Sequence, residues 1–434
     1  MSGESRVEQS RAVSLAFSGL DKVFLRTRFD AAAADAIATD QAVASGASLP
    51  LSGLILAVKA CFDVAGWVTD AASAVLSDQP EATRDAPVVA GLRAAGATLV
   101  AHTNMTEFAF GALGINNTTG TPVSPLDAHG ERVAGGSTSG GAVAVARGFA
   151  DIALGTDTSG SIRIPAAFCG IVGFKPSTNV ISTQGCIPLS TTFDAPGFIA
   201  RDVSTIVRVV EALKLYRTRV VRVQPTRELE GIRLALPVDF ALSRCDPTVV
   251  AAFEGCVNRL ASLGASIVET DFMDLRAPSR IAAESGIIVA DAYAWHEPWI
   301  RTRLARYDPL VGPRILRGES IPAYRYLKGA AALKHEANVF DAEMAHYDAL
   351  LTPTVPIVPP RIADVTADET EYLRVNALSF SLTELANRLE APSIAMQFDP
   401  ARPRPFGLML TGRRHRDIDL LSVARRVEAA LLKP

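Results

Sequence analysis

Two stretches decide how this chain is read: Ala134-Gly135-Gly136-Ser137-Thr138-Ser139-Gly140-Gly141, and Gly155-Thr156-Asp157-Thr158-Ser159-Gly160-Ser161-Ile162-Arg163-Ile164-Pro165-Ala166-Ala167-Phe168-Cys169-Gly170. Both are dense in glycine and hydroxyl side chains. Between them, the small residues Ala142 to Arg147 suit a closely packed helix, and Ile152-Ala153-Leu154 suits a buried strand feeding the second loop. Glycine admits unusual backbone dihedrals and lets backbone N–H groups approach a ligand. The N–H groups around Thr158–Ser161, beside a helix start at Pro165, can therefore hold a developing oxyanion. Taken alone, Gly135–Gly141 fits a flexible linker equally well, and both serines fit loop caps.

Several familiar chemistries fail on these residues. No Gly-Lys-Ser/Thr follows the first loop, so it is no phosphate loop. Gly136-Ser137-Thr138-Ser139-Gly140 places Thr138 where a hydrolase nucleophile elbow needs serine. His335-Glu336 starts like a zinc-protease helix, but Val339 stands where the second histidine belongs. The six histidines do not cluster, so a serine nucleophile here needs another base.

Working outward, short apolar strands alternate with helices. Leu54-Ile55-Leu56-Ala57-Val58 reads as a buried strand, Ala86 to Gly96 as a helix with proline in its first turn, and Thr98-Leu99-Val100-Ala101 as the next strand. The pattern resumes with a strand at Ile232–Pro237, a helix from Asp246 to Leu263 and a strand at Ala265–Val268. Such alternation predicts an α/β core with a largely parallel sheet. Residues 1–50 and 275–347 look helical, Thr352–Pro360 looks like a loop, and Asp417–Leu432 has helical spacing. No Ser/Gly linker and no internal repeat divides the chain. A single domain over 1–434 is expected, with a core at about 51–215, a more variable helical region at about 216–360, and strands and a helix at about 361–434.

Composition narrows the classes without naming one. The chain has 434 residues, a net charge of −3, 48% hydrophobic and 21% charged residues, as globular enzymes do. That balance argues against nucleic acid. Five scattered cysteines (Cys61, Cys169, Cys186, Cys245, Cys256) form no CxxC pair, so free, buried thiols are expected rather than disulfides or a thiolate metal site. Met1 to Phe17 lacks the apolar stretch of a signal peptide, and no apolar run reaches the ~18 residues of a membrane span. A cytoplasmic location is expected.

From Gly135 to Pro176 the sequence resembles the diagnostic stretch of the amidase signature family, serine amidases with a Ser–Ser–Lys triad. The likeness continues through Leu56-Ala57-Val58-Lys59 with Asp63-Val64-Ala65-Gly66, Asp85 to Val89 with Ala94 to Ala97, and Thr103-Asn104-Met105-Thr106-Glu107-Phe108-Ala109. Downstream it includes Asp194-Ala195-Pro196-Gly197, Leu351-Thr352-Pro353-Thr354 and Gly407-Leu408-Met409-Leu410 through Asp417 and Leu420-Leu421. The resemblance implies an α/β fold with a large twisted mixed sheet covered on both faces by helices. It implies hydrolysis of a small amide through an acyl-enzyme, with Ser161 as nucleophile, Ser137 as bridging serine after a cis peptide, and Lys59 as base. Thr158, Ser159, Gly160 and Ser161 would supply the oxyanion hole through backbone N–H groups. Asp157 and Arg163 would brace the loops as an ion pair. No cofactor and no metal are implied, and the partner is a small-molecule amide, with neither nucleic acid nor membrane; a homodimer is left open. The chemistry is self-consistent, because a lysine acts as a base only when neutral. Val58, Leu56, Cys61 and Phe62 give Lys59 the apolar setting that lowers its pKa from about 10.4.

Three positions depart from the family pattern: Ala60 replaces an aspartate after the lysine, Ser159 replaces a glycine before the nucleophile, and Ala101-His102 replaces Gly-Lys. His102 is expected to be structural rather than to face substrate. Between 301 and 328, Arg301, Arg303, Arg306, Arg314, Arg317, Arg325 and Lys328 face only Asp308 and Glu319. A solvated helix face explains such an excess, and so does an acidic substrate or an acidic partner. Trp295, Trp299, Tyr324 and Tyr326 are candidates for an acyl pocket or for core. The rival readings are a glutamine-hydrolysing subunit of an amidotransferase, a binding protein that kept the fold, and, more distantly, a cysteine nucleophile at Cys61.

Overall fold

Ile55–Lys59 is a strand with every residue buried. Ile55 and Ala57 join one apolar cluster, and Leu56 and Val58 join another. Side chains alternate across a strand, so an unbroken apolar run means that both faces of the sheet are covered. The computed structural model describes residues 2–215, 229–398 and 404–432. The junction expected near 215–216 abuts residues 216–228, which lie outside the described residues.

Eleven strands form one sheet: β1 (Phe24–Thr27), β2 (Ile55–Lys59), β3 (Thr98–Thr103), β4 (Ile152–Asp157), β5 (Val172–Lys175), β6 (Ala195–Ala200), β7 (Arg233–Leu236), β8 (Ser266–Glu269), β9 (Ala349–Pro353), β10 (Ser393–Gln397) and β11 (Gly407–Thr411). Their spatial order is β1-β3-β2-β4-β6-β5-β10-β11-β9-β7-β8, so strands from the first and second halves of the chain meet where β5 pairs with β10. Helices pack on both sides.

The sheet is mixed, as the family resemblance implied, and not largely parallel, as strand–helix alternation predicted. β3-β2-β4 and β9-β7-β8 are parallel, whereas every pairing from β4 across to β9 and the β1 edge is antiparallel. A parallel pairing needs a crossover, usually a helix. No helix intervenes between β5 and β6, and those two strands run antiparallel.

Two local expectations also change. The region 1–50 is helical at Gly3–Leu15 and Phe29–Ala44 but also contributes β1, a short edge strand on β3. The proline-rich stretch begins as β9 and becomes a loop only after Pro353, a position at the strand end where proline is tolerated. Among the described residues no helix is long and apolar enough to cross a membrane. Cys61, Cys169 and Cys256 are buried and Cys186 and Cys245 half-buried, all as free thiols.

The helix Ser139–Ala146 carries the first serine loop into the fold, and all of its residues but Ala146 are buried. It can lie so deep because its side chains are small. A Cβ at Gly140 would come within 2.5 Å of the Val23 carbonyl oxygen and 2.7 Å of the Asn104 nitrogen.

Candidate active site

Lys59 ends β2 and is fully buried. Its Nζ lies 2.8 Å from Ser137 Oγ and 2.7 Å from Thr156 Oγ1. Desolvation pulls the amine pKa below its ordinary value, against the smaller opposing pull of Cys61, Cys186, Asp194 and Asp157. Ala60, the first departure, is buried, with its N–H 3.2 Å from the Thr103 carbonyl oxygen.

Ser137 follows a cis peptide bond to Gly136 and is also buried. Two backbone bonds fix its loop. Thr106 N–H donates to the Ser137 carbonyl at 3.1 Å, and Gly136 N–H donates to the Ala112 carbonyl at 2.6 Å. Thr106 belongs to the turn after β3, which Asn104 anchors by donating to the Lys22 and Gly120 carbonyls at 2.9 Å each. The first loop is tied to the second where Thr138 N–H donates to the Ser161 carbonyl at 3.1 Å.

The second loop leaves β4 at Asp157 and enters the helix Arg163–Cys169. Asp157 and Arg163 are both fully buried and form a two-pronged ion pair, Nε to Oδ2 at 3.0 Å and Nη2 to Oδ1 at 2.9 Å. Asn387 Nδ2 donates to both the carbonyl and the carboxylate of Asp157 at 2.9 Å, and its Oδ1 accepts from Arg163 Nη2 at 2.7 Å. Burial alone would raise the Asp157 pKa; Arg163, with Lys175 and Asn387, more than reverses this and holds it at about 2. Such a network is costly to break from one side, since it leaves a buried charge unpaired. Asp157→Ala is expected to lose about 3–5 kcal/mol of stability, read as a lower urea midpoint; an unchanged midpoint would refute the bracing role. The pH sign follows from linkage: the depressed pKa contributes stability that is complete above the unfolded value near ~3.9 and is lost as pH falls toward 2.

Between Asp157 and the helix, the chain turns through Gly160 at φ +139°. A Cβ there would meet Thr383 Oγ1 at 2.2 Å, so this turn admits only glycine. Thr383 Oγ1 donates to the Ser159 carbonyl at 2.6 Å, and Arg388 donates to the Thr158 carbonyl at 3.1 Å and Ser159 Oγ at 2.9 Å. The Thr158 and Ser159 carbonyls are thus held by side chains, while the N–H groups of Thr158, Ser159, Gly160 and Ser161 donate to no acceptor among the described residues. Thr158 Oγ1 donates to Asp194 Oδ1 at 2.5 Å. Desolvation pushes the buried Asp194 carboxyl up to about 6, although hydrogen bonds from Thr158, Ser190 and Leu189 oppose it.

Thr158, Ser159 and Ser161 line a cavity of about 360 Å³. Phe110, Leu189, Ile288, Val289 and Phe380 give it apolar walls, and Arg314, Arg317, Glu384 and Arg388 are its charged groups. The aromatic candidates are elsewhere. Trp295 and Trp299 line a separate cleft with Asp63 and Leu76, Tyr324 is exposed, and Tyr326 donates to Asp291 at 2.9 Å. His102 is fully buried, with Nε2 2.9 Å from the Phe62 carbonyl and its ring against Trp67, and desolvation holds it neutral with a pKa of about 3. The basic segment divides. Arg301 pairs with Glu319, and Arg303 and Arg306 reach Asp78 at 2.8 and 3.2 Å, while Arg314 and Arg317 turn to the cavity.

Sequence reasoning missed Thr156, Thr383, Asn387 and Arg388. Thr156 stood inside the quoted loop, where a hydroxyl one residue before Asp157 was the available signal. The other three lie on or beside the short helix Glu384–Arg388, far along the chain and without a motif.

Known proteins resemble this chain over most of its length. Residues 18–421 match the sequence model of the family described as Amidase. The chain is 34% identical to 2-amino-5-chloromuconic acid deaminase of Comamonas testosteroni over 94% of its own length and 87% of that protein's. It is 32% identical to a glutamyl-tRNA(Gln) amidotransferase subunit of Symbiobacterium thermophilum, over 86% of this chain and 82% of that one. A crystal structure described as an amidase superposes with a TM-score of 0.86 at 28% identity, covering 99% of this chain and 96% of the other. With a family match across most of its length and relatives of this identity, the chain belongs to the amidase signature family and is a hydrolase of carbon–nitrogen bonds.

Proposed function

We propose that the protein hydrolyses a small amide through an acyl-enzyme on Ser161, with Ser137 as proton relay and Lys59 as base. The observation that carries this reading is the buried contact of 2.8 Å between Lys59 Nζ and Ser137 Oγ, in a loop bonded to that of Ser161. A neutral Lys59 accepts the Ser137 proton while donating to Thr156, and Ser137 in turn takes the proton of Ser161. Ser161 Oγ attacks the amide carbonyl, and the N–H groups of Thr158 to Ser161 receive the oxyanion. Ser137 then returns the proton to the leaving nitrogen, and ammonia or an amine departs. Water, activated by the same relay, cleaves the ester and releases the carboxylate. Asp157 and Arg163 act by holding the loop, without touching substrate. The whole chain works as one catalytic domain in this reading.

A panel of small amides scored for ammonia release tests the proposal, with the Ser161→Ala protein as control. Release by the wild type alone supports it; release that survives the substitution refutes it. The 32% identity to an amidotransferase subunit favours one second reading, supply of ammonia from glutamine to a partner. Glutaminase activity that appears only when a partner is added would establish that reading instead.

A further inference from the structure

The Ser161 cavity holds three guanidinium groups and one carboxylate, and their pairing is uneven. Arg388 is buried and already matched: it donates to Glu384 at 2.9 Å and lies over the Phe193 ring. Arg314 spends Nη1 on the Phe110 and Leu310 carbonyls, at 2.8 and 3.2 Å, and stacks on the Phe110 ring. Arg317 is exposed at the same cavity wall; burial first, and then the Arg317 charge, disfavour the charge of Arg314, against the opposing pull of its neighbour Tyr372. Neither Arg314 nor Arg317 has a carboxylate partner among the described residues. Two adjacent like charges without a counter-ion repel each other, and a bound anion removes that cost.

Resting on the amidase reading, we propose that the substrate is an amide whose far end carries a carboxylate, received by Arg317 together with Arg314, so that hydrolysis yields a dicarboxylate. The size of the site fits a small molecule: about 360 Å³ is at the low end for ligand cavities. The apolar walls at Ile288, Val289 and Phe380 suit the carbon chain between the two ends. A planar carboxylate matches the fork that guanidinium donors offer, and arginine is the side chain suited to that recognition. The positive segment at 301–328 thus serves two purposes. Its first three arginines are paired at the surface, and Arg314 and Arg317 read the substrate.

The test measures how well two ligand series slow the labelling of Ser161 by a small fluorophosphonate. One series is the monoamides of four- to six-carbon dicarboxylic acids; the other is the neutral primary amides of equal length. The carboxylated series is expected to protect at concentrations at least tenfold lower. In Arg317→Ala that advantage falls at least tenfold, and Arg317→Lys, which keeps the charge but not the fork, restores part of it. Equal behaviour of the two series, including protection by neither, overturns the inference, as does an advantage that persists in Arg317→Ala. Failure of the wild type to label at Ser161 overturns the reading of Ser161 as nucleophile itself, and this inference falls with it.

Discussion

Ser161→Ala is expected to lower kcat by at least about 10⁴-fold on any amide the wild type cleaves, since removing the nucleophile of a serine hydrolase leaves only binding and oxyanion stabilisation. The size of the effect follows from the relay, in which every later step depends on the bond from Ser161 Oγ to the acyl group. Stability should barely change. The substitution removes one oxygen beside the cavity, and the loop remains held by the Thr138 N–H to Ser161 carbonyl bond and by the Asp157–Arg163 pair. A thermal midpoint near that of the wild type, with turnover lost, separates a catalytic role from a structural one. A residual rate within tenfold of the wild type would contradict the assignment.

The second large effect is at Lys59. Lys59→Met keeps the aliphatic bulk and removes the amine, and kcat/KM at neutral pH is expected to fall by about 10²–10⁴-fold, the usual worth of a positioned base. The pH profile is the more telling readout. Because burial lowers the Lys59 pKa, the wild-type rate should rise with pH through that lowered value as the amine loses its proton, then level off. The rising limb should disappear in Lys59→Met. Stability has a matching sign: the unfolded chain binds the lysine proton more tightly, so this group makes the fold more stable as pH rises from its folded pKa toward about 10.4. A variant that keeps the wild-type rising limb would remove Lys59 from the base role.

How much of this was legible in the sequence depends on how local the cause is. Lys59 could be found because an apolar strand runs straight into it and two serine-rich loops follow. The helix at Pro87–Ala94 was legible from proline in its first turn and glycine after its end. Strand direction in the middle of the sheet was not, because alternation of strands and helices describes crossovers: β5 and β6, and β10 and β11, follow each other with no helix between them among the described residues, and β5 pairs with β10 more than two hundred residues away. The same distance hid Thr383, Asn387 and Arg388. Each matters only because the fold brings the helix Glu384–Arg388 against a loop formed more than two hundred residues earlier. Of the two places expected for the aromatic residues, Trp295 and Trp299 take the core. They pack on each other with ring centroids 4.9 Å apart, away from Ser161, whereas the charge excess, equally compatible with a solvated surface, brings two arginines to the cavity wall.

The central claim is that Ser161 is the nucleophile of a lysine-driven relay. Its most direct test is to treat the full chain with a fluorophosphonate, digest it, and map the adduct by mass spectrometry while following the rate of labelling against pH. The account predicts one adduct, on Ser161, forming faster as pH rises and far more slowly in Lys59→Met. An adduct on another residue, or labelling of Ser161 at a rate indifferent to pH and to Lys59, would contradict it.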